Sequence, residues 1–161
     1  MWLSDCGLVH KIGRVNGAGI PLIAYQDLKA FKLFVLDVGL LGCMAGLSAK
    51  TILEGNSMFV EFKGALTEQY VCQQLKTIEY LNIYYYTNDR GSCEVDFIVD
   101  NGESIIPVEV KAELNLKAKS LKTYIEKYSP EISVRTSMSD YKREEALINI
   151  PLYAIGLFPI N

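Results

Sequence analysis

Apolar residues alternate on both sides of Asn101-Gly102: Val95, Phe97 and Val99 precede it, and Ile106, Val108 and Val110 follow it. Alternation at period two reads as half-buried strand, and Asn-Gly between two such runs is the strongest short hairpin signal. A two-residue turn at this pair sets Asp96 opposite Pro107 and Glu94 opposite Glu109, with Glu109 diagonal to Asp96. The two apolar triplets then form one face, ready to pack on a helix. Glu94, Asp96, Ile98, Ile105, Pro107, Glu109 and Lys111 share the other.

Around this hairpin the patterning predicts further elements. Met58 to about Thr77 carries Phe59, Phe62, Leu66 and Tyr70 at helical spacing. Glu68 on this helix has Gly64, Ala65, Val71 and Cys72 as its i±3 and i±4 neighbours, a stripe that packs close against something. Glu68 is therefore expected to face inward, either for function or to satisfy a buried backbone group or a lysine. Ile83–Thr87 reads as a strand and Asn88–Gly91 as a turn. Strands are expected at 93–99 and 104–111, a helix at Lys117–Tyr128 stopped by Pro130, and a strand at Glu131–Thr136. Asp140–Ala146 reads as helical, and Ile148–Leu157 as an apolar closing segment. The core order is α-β-β-β-α-β.

The first part of the chain reads differently. Trp2–Gly7 has the form of a last helical turn ending at a glycine C-cap. Leu8–Val15 and Ile20–Tyr25 read as short strands joined at Asn16–Gly19. A helix end followed by such a hairpin is the tail of a winged-helix unit, so the chain is expected to divide into a winged-helix remnant with connector (1–46) and a second domain (47–161). Leu33–Leu41 is a buried apolar segment, strand or helix, and Leu47–Asn56 a connector with Ser48 as N-cap. Gly17-Ala-Gly19 lacks a following Gly-Lys-Ser/Thr, and Ala49-Lys50-Thr51 lacks the preceding glycine, so no nucleotide site is expected.

Composition narrows the chemistry. With 161 residues, half of them hydrophobic, the chain can bury one core and an appended subdomain. No run approaches the length of a membrane span and no signal peptide is evident. Four scattered cysteines without a Cys-x-x-Cys spacing read as reduced, mostly buried thiols, and the expected location is cytoplasmic. One histidine, His10, excludes His-rich zinc sites and nucleases that need two. Net charge is −3, yet residues 111–127 hold five lysines against Glu113 and Glu126. That stretch is either a phosphate-facing surface or a solvated helix face.

Carboxylates at diagonal positions lie roughly 7 Å apart at Cβ, so Asp96 and Glu109 could share one divalent ion at about 2.1 Å per oxygen. Lys111 projects from the same face. Glu94 opposite Glu109 is repulsive unless a cation or splayed strands relieve it. The spacing helix-Glu68, strand-Asp96, strand-Glu109-x-Lys111, helix resembles the PD-(D/E)XK nuclease core of restriction endonucleases and Holliday-junction resolvases. Phe31–Leu41, Glu61–Val71, Asn88–Gly91, Glu94–Phe97, Val108–Lys111 and Arg135–Tyr141 resemble, more closely, a prokaryotic family of unknown function. In that family an AAA+ ATPase module and a winged helix precede a nuclease-like domain.

The resemblance implies a restriction-endonuclease-like α-β-α sandwich with a central mixed sheet. It assigns Mg²⁺ or Mn²⁺ to Asp96, Glu109 and the Val110 carbonyl, with Glu68 completing or tuning the site. Lys111 would orient the attacking water and stabilise the phosphate. Lys117, Lys119, Ser120 and Lys122 near the next helix, with Arg90 in the turn, are candidate nucleic-acid contacts. The expected function is a metal-dependent DNA endonuclease-like domain, with DNA and an ATPase module as partners. The alternatives are a catalytically inactive nuclease-fold module that binds DNA or protein, and a structural, homo-oligomer-forming domain suggested by Tyr84-Tyr85-Tyr86 and the apolar tail.

Overall fold

The computed structural model describes residues 2–48, 50, 57–88, 90–112 and 118–157. Its strands are Val9–Val15 (β1), Gln26–Val35 (β2), Asn82–Thr87 (β3), Glu94–Asp100 (β4), Ile105–Val110 (β5), Ser133–Ser137 (β6), Lys142–Glu144 (β7) and Leu147–Pro151 (β8). Its helices include Trp2–Asp5 (α1), Val38–Met44 (α2), Ser57–Lys76 (α3) and Lys119–Tyr128 (α4). All eight strands join one mixed sheet in the order β2-β1-β3-β4-β5-β6-β8-β7. β1–β3, β5–β6 and β6–β8 are parallel pairs, and the others are antiparallel.

A helix lies on each face. Val71, Cys72 and Leu75 of α3 pack with Ile12, Phe34, Tyr85, Phe97, Val99 and Val108. Leu121 and Tyr124 of α4 pack with Val15, Leu22, Tyr86, Val95 and Ile98 on the reverse face. Each fully buried aliphatic side chain contributes about 1.5–3 kcal/mol, so these two clusters fix which way the central strands face. The buried stripe of α3 is displaced from the expected one, because Phe62, Leu66 and Tyr70 are only half-buried. Gln69 explains part of that rotation. It is buried, its Oε1 accepts the Val35 N–H at 3.0 Å and its Nε2 donates to the Val35 carbonyl at 2.8 Å. One amide thus acts as a strand neighbour for the free edge of β2 and ties α3 to it.

The first forty residues depart from a simple hairpin. The α1 end is as expected, with Gly7 at φ +75° and the Leu8 N–H donated to the Leu3 carbonyl. Leu22–Tyr25 forms a 3₁₀ turn, however, and the second strand begins only at Gln26. Strand β1 pairs with β3, so β1 and β2 extend the same sheet that carries β4 and β5. The ambiguous apolar segment Leu33–Leu41 is divided by Asp37, whose carboxylate accepts the Leu40 N–H at 2.8 Å and caps α2. The expected connector Leu47–Asn56 falls largely outside the described residues.

Asp140–Ala146 is not helical. Its polar residues favour helix by propensity, but every residue of β7 is exposed, leaving no apolar face to hold a helix against the core. The segment instead turns at Glu145 (φ +50°) and pairs antiparallel with β8. All four cysteines are free. Cys72 and Cys93 are buried, whereas Cys6 and Cys43 are exposed, against the expectation that most would be buried. Among the described residues no helix is long and apolar enough to cross a membrane.

Candidate functional site

The loop after β4 sets the register of the site. Asp100 Oδ1 accepts the Gly102 N–H at 2.7 Å, while Asn101 Oδ1 accepts those of Glu103 (3.0 Å) and Ser104 (2.8 Å). These side chains satisfy a four-residue loop, Asn101–Ser104, with Gly102 at φ +90°, in place of the expected two-residue turn. The β4–β5 ladder therefore runs Phe97↔Val108, Ile98↔Pro107, Val99↔Ile106 and Asp100↔Ile105. Asp96 lies just past the last of these pairs, where its side chain meets the Val110 N–H, instead of in the diagonal position expected from a two-residue turn. A slip of two residues leaves every β5 side chain on its expected face, because the pleat repeats every two.

The β3–β4 ladder contains a second irregularity. Its register shifts between Tyr84↔Ile98 and Tyr86↔Val95, which places one extra residue in β4 at Asp96–Phe97. Such a bulge flips the side chains on its far side and re-aims those within it. Val95 accordingly packs with Ile98 beneath α4, while Phe97 and Val99 pack beneath α3. The expected apolar triplet is thus split. Glu94 is likewise not opposite Glu109, so the expected repulsion is relieved by geometry, and it pairs with Thr87 across β3.

Asp96 sits within the bulge. Its Oδ2 accepts the Val110 N–H at 2.7 Å, continuing the β4–β5 contact past the last ladder pair. Burial, then the nearby charges of Glu109 and Glu68, push its pKa up to about 7 against the opposing influence of the Val110 N–H and Lys32. Glu109 is only 5% exposed. Its Oε1 accepts from Lys111 Nζ at 2.6 Å, and its Oε2 is buried without a hydrogen-bond partner. The Lys111 N–H donates to the Thr136 carbonyl at 2.8 Å, holding the end of β5 against β6. Asp96, Glu109 and Lys111 are thereby brought together.

Glu68 enters from α3 through a residue to which sequence reasoning gave no role. Lys32 Nζ lies 2.6 Å from Glu94 Oε1 and 3.6 Å from Glu68 Oε2, over the Tyr85 ring at 5.1 Å from its centroid. Burial opposes its charge, but Glu94, Glu68 and Asp96 outweigh burial and raise its pKa. The sequence carries no signal for it, because the apolar Phe31 and Leu33 that flank Lys32 are the exposed residues, and Lys32 shares the inward face of Phe34.

The candidate nucleic-acid residues are spread more widely. Lys119 is exposed, and Lys122 is exposed beside Glu126 at 3.8 Å. Ser120 is half-buried, and its carbonyl accepts the Cys93 thiol at 3.5 Å. Ala118, at the N-cap of α4, offers no side-chain cap. Arg90 is exposed in the turn before β4. Lys117 lies outside the described residues.

Among the described residues no three carboxylate, histidine or cysteine side chains converge as a metal-ligand group. The Asp96–Glu109 pair nevertheless fits one hard divalent ion. It offers a buried carboxylate oxygen with no partner next to a second carboxylate whose charge is disfavoured by its neighbours. Magnesium is commonly bound by one or two carboxylates and completes its shell with water.

A family model described as Domain of unknown function (DUF4143) matches residues 63–155. The chain belongs to the DUF4143 family. No curated protein and no solved structure matches it. The DUF4143 match includes Glu68, Asp96, Glu109 and Lys111, and Lys32 precedes its first residue.

Proposed function

We propose that this DUF4143 chain is a metal-dependent DNA endonuclease-like domain of the PD-(D/E)XK type, acting on phosphodiesters. The observation that carries the reading is the unpartnered, buried Glu109 Oε2 beside Asp96, with Lys111 on the same strand end. The element order α3-β3-β4-β5-α4-β6 supports a restriction-endonuclease-like core. Asp96 and Glu109 would hold Mg²⁺ or Mn²⁺ with the Val110 carbonyl, and Glu68 would tune the charge from α3. When bound, the ion supplies Lewis acidity and a water of lowered pKa. Val110 fixes the orientation of Asp96 through its N–H. Lys111 fixes Glu109 with one N–H, and its ammonium has two further donors for a phosphate oxygen or the attacking water. Placing such donors where negative charge develops is the main electrostatic contribution such a site can make. DNA is the proposed substrate and an AAA+ ATPase module the proposed partner.

A second reading, a nuclease-fold module that binds without cutting, is favoured by one feature: three-ligand convergence is absent among the described residues. Two measurements separate the readings. Mn²⁺ is expected to raise the melting temperature of the wild type and not of Asp96→Ala. Supercoiled, linear and branched DNA are expected to be cleaved with Mn²⁺ by the wild type and not by Lys111→Ala. A thermal response retained in Asp96→Ala refutes the shared ion. Intact DNA in every reaction, with the ATPase supplied, selects the binding module.

A further inference from the structure

Lys32 stands among core-facing positions. It pairs with Ile12 across the β1–β2 ladder and precedes Phe34 by two residues, and both of those side chains are buried beneath α3. An ammonium in such a place is costly unless it is paired. Here it is paired twice, and by two different elements: Glu94 from β4 and Glu68 from α3. The placement is reinforced, because Gln69, the residue after Glu68, holds both backbone groups of Val35 on Lys32's own strand. The carboxylates around the site thus fall into two sets. Glu68 and Glu94 face a fixed ammonium, whereas Glu109 keeps a buried oxygen with no partner.

We propose that Lys32 is the built-in cation of this acidic cluster, a positioning residue that occupies the space between Glu68 and Glu94 and confines a divalent ion to Asp96 and Glu109. The proposal rests on the metal reading above and deepens it. A divalent ion bound between Glu68 and Glu94 would need the carboxylate lone pairs that the ammonium already holds. The fixed cation also reaches the site from β2, which couples the outer strands to the chemistry at β4 and β5.

The test is Mn²⁺ titration of the full chain by calorimetry, with no nuclease activity required. Wild type is expected to take up one equivalent. Lys32→Met and Lys32→Gln, the latter keeping a polar side chain for folding, are expected to gain a second equivalent or bind at least tenfold more tightly. Adding Glu68→Gln to either variant is expected to reverse the gain, and Lys32→Arg to behave as wild type. Uptake in both lysine variants equal to that of wild type overturns the inference, whether or not the wild type binds Mn²⁺. A wild type that binds none, with a gain in the variants, supports Lys32 as the cation filling the space between Glu68 and Glu94, and refutes the resident metal at Asp96 and Glu109.

Discussion

Asp96 is the residue whose protonation the fold changes most consequentially for the site. Its carboxyl has a pKa of about 7, against an ordinary value of 3.8 in the unfolded chain, because it is buried beside Glu109 and Glu68. A carboxyl with a raised folded pKa binds its proton more tightly in the native state. Below about pH 4 both states are protonated and there is no penalty. Between about pH 4 and 7 the unfolded chain releases its proton first, and the native state loses stability at up to about 1.36 kcal/mol per pH unit. Above that window the full penalty remains, with a ceiling of about 4 kcal/mol. Asp96→Asn keeps an acceptor for the Val110 N–H and removes the charge. In chelator-treated protein it is expected to be more stable than wild type at pH 8, the difference shrinking as pH falls toward 4. Urea unfolding across that range checks it, and two parallel stability curves would contradict the buried-charge account.

At the scale of elements, the sequence marked most of the strands and both large helices, yet local geometry decided how they meet. The β4–β5 hairpin was legible from its alternating residues. Its loop was not, since Asp100 and Asn101 each cap N–H groups and favour four residues over the tighter Asn-Gly turn. That difference was harmless to the site because it shifted the register by two. The bulge at Asp96–Phe97 left no mark in the pattern, and it alone moved Val95 to the other face. Residues 140–146 misled because a charged, helix-favouring stretch with no buried face takes its structure from its neighbour, here β8. The α3–β2 junction was invisible for another reason: a glutamine at position 69 shows no preference for a backbone thirty-four residues away. Gln69→Leu would orphan the Val35 N–H and carbonyl, each costing about 1–3 kcal/mol if kept from water. The variant is expected to lose about 2–4 kcal/mol in urea unfolding. It should also loosen the pairing of Lys32 with Glu68, visible as faster hydrogen exchange at the end of β2. Unfolding at the wild-type midpoint would show that the amide is not a structural link.

For the whole molecule, the proposed DNA substrate must be reconciled with a net charge of −3. The carboxylate cluster lies between two helices on opposite faces of the sheet. Of these, only α4 begins with a lysine and exposes Lys119 and Lys122 directly after the strand that ends near Lys111. The cluster of basic residues was legible in the sequence. Its geometry was only partly so, because Lys122 also has Glu126 one turn away at 3.8 Å. An exposed pair of this kind is worth little and is screened by salt, so it does not withhold Lys122 from a phosphate. If α4 follows a DNA backbone, affinity falls with salt, and each phosphate neutralised by a lysine adds roughly 0.9 to the log–log slope. Replacing Lys117, Lys119 and Lys122 together by Glu is expected to weaken binding alike for all sequences. The slope is expected to drop by roughly 0.9 for each phosphate no longer neutralised. Fluorescence anisotropy over a salt series, at fixed Mn²⁺ or with Ca²⁺ to prevent cleavage, measures both quantities. A slope unchanged in the triple variant moves the DNA to another face of the sheet. A wild type with no salt-dependent affinity makes these lysines a solvated helix face, and the acidic balance of the chain then points to a protein partner.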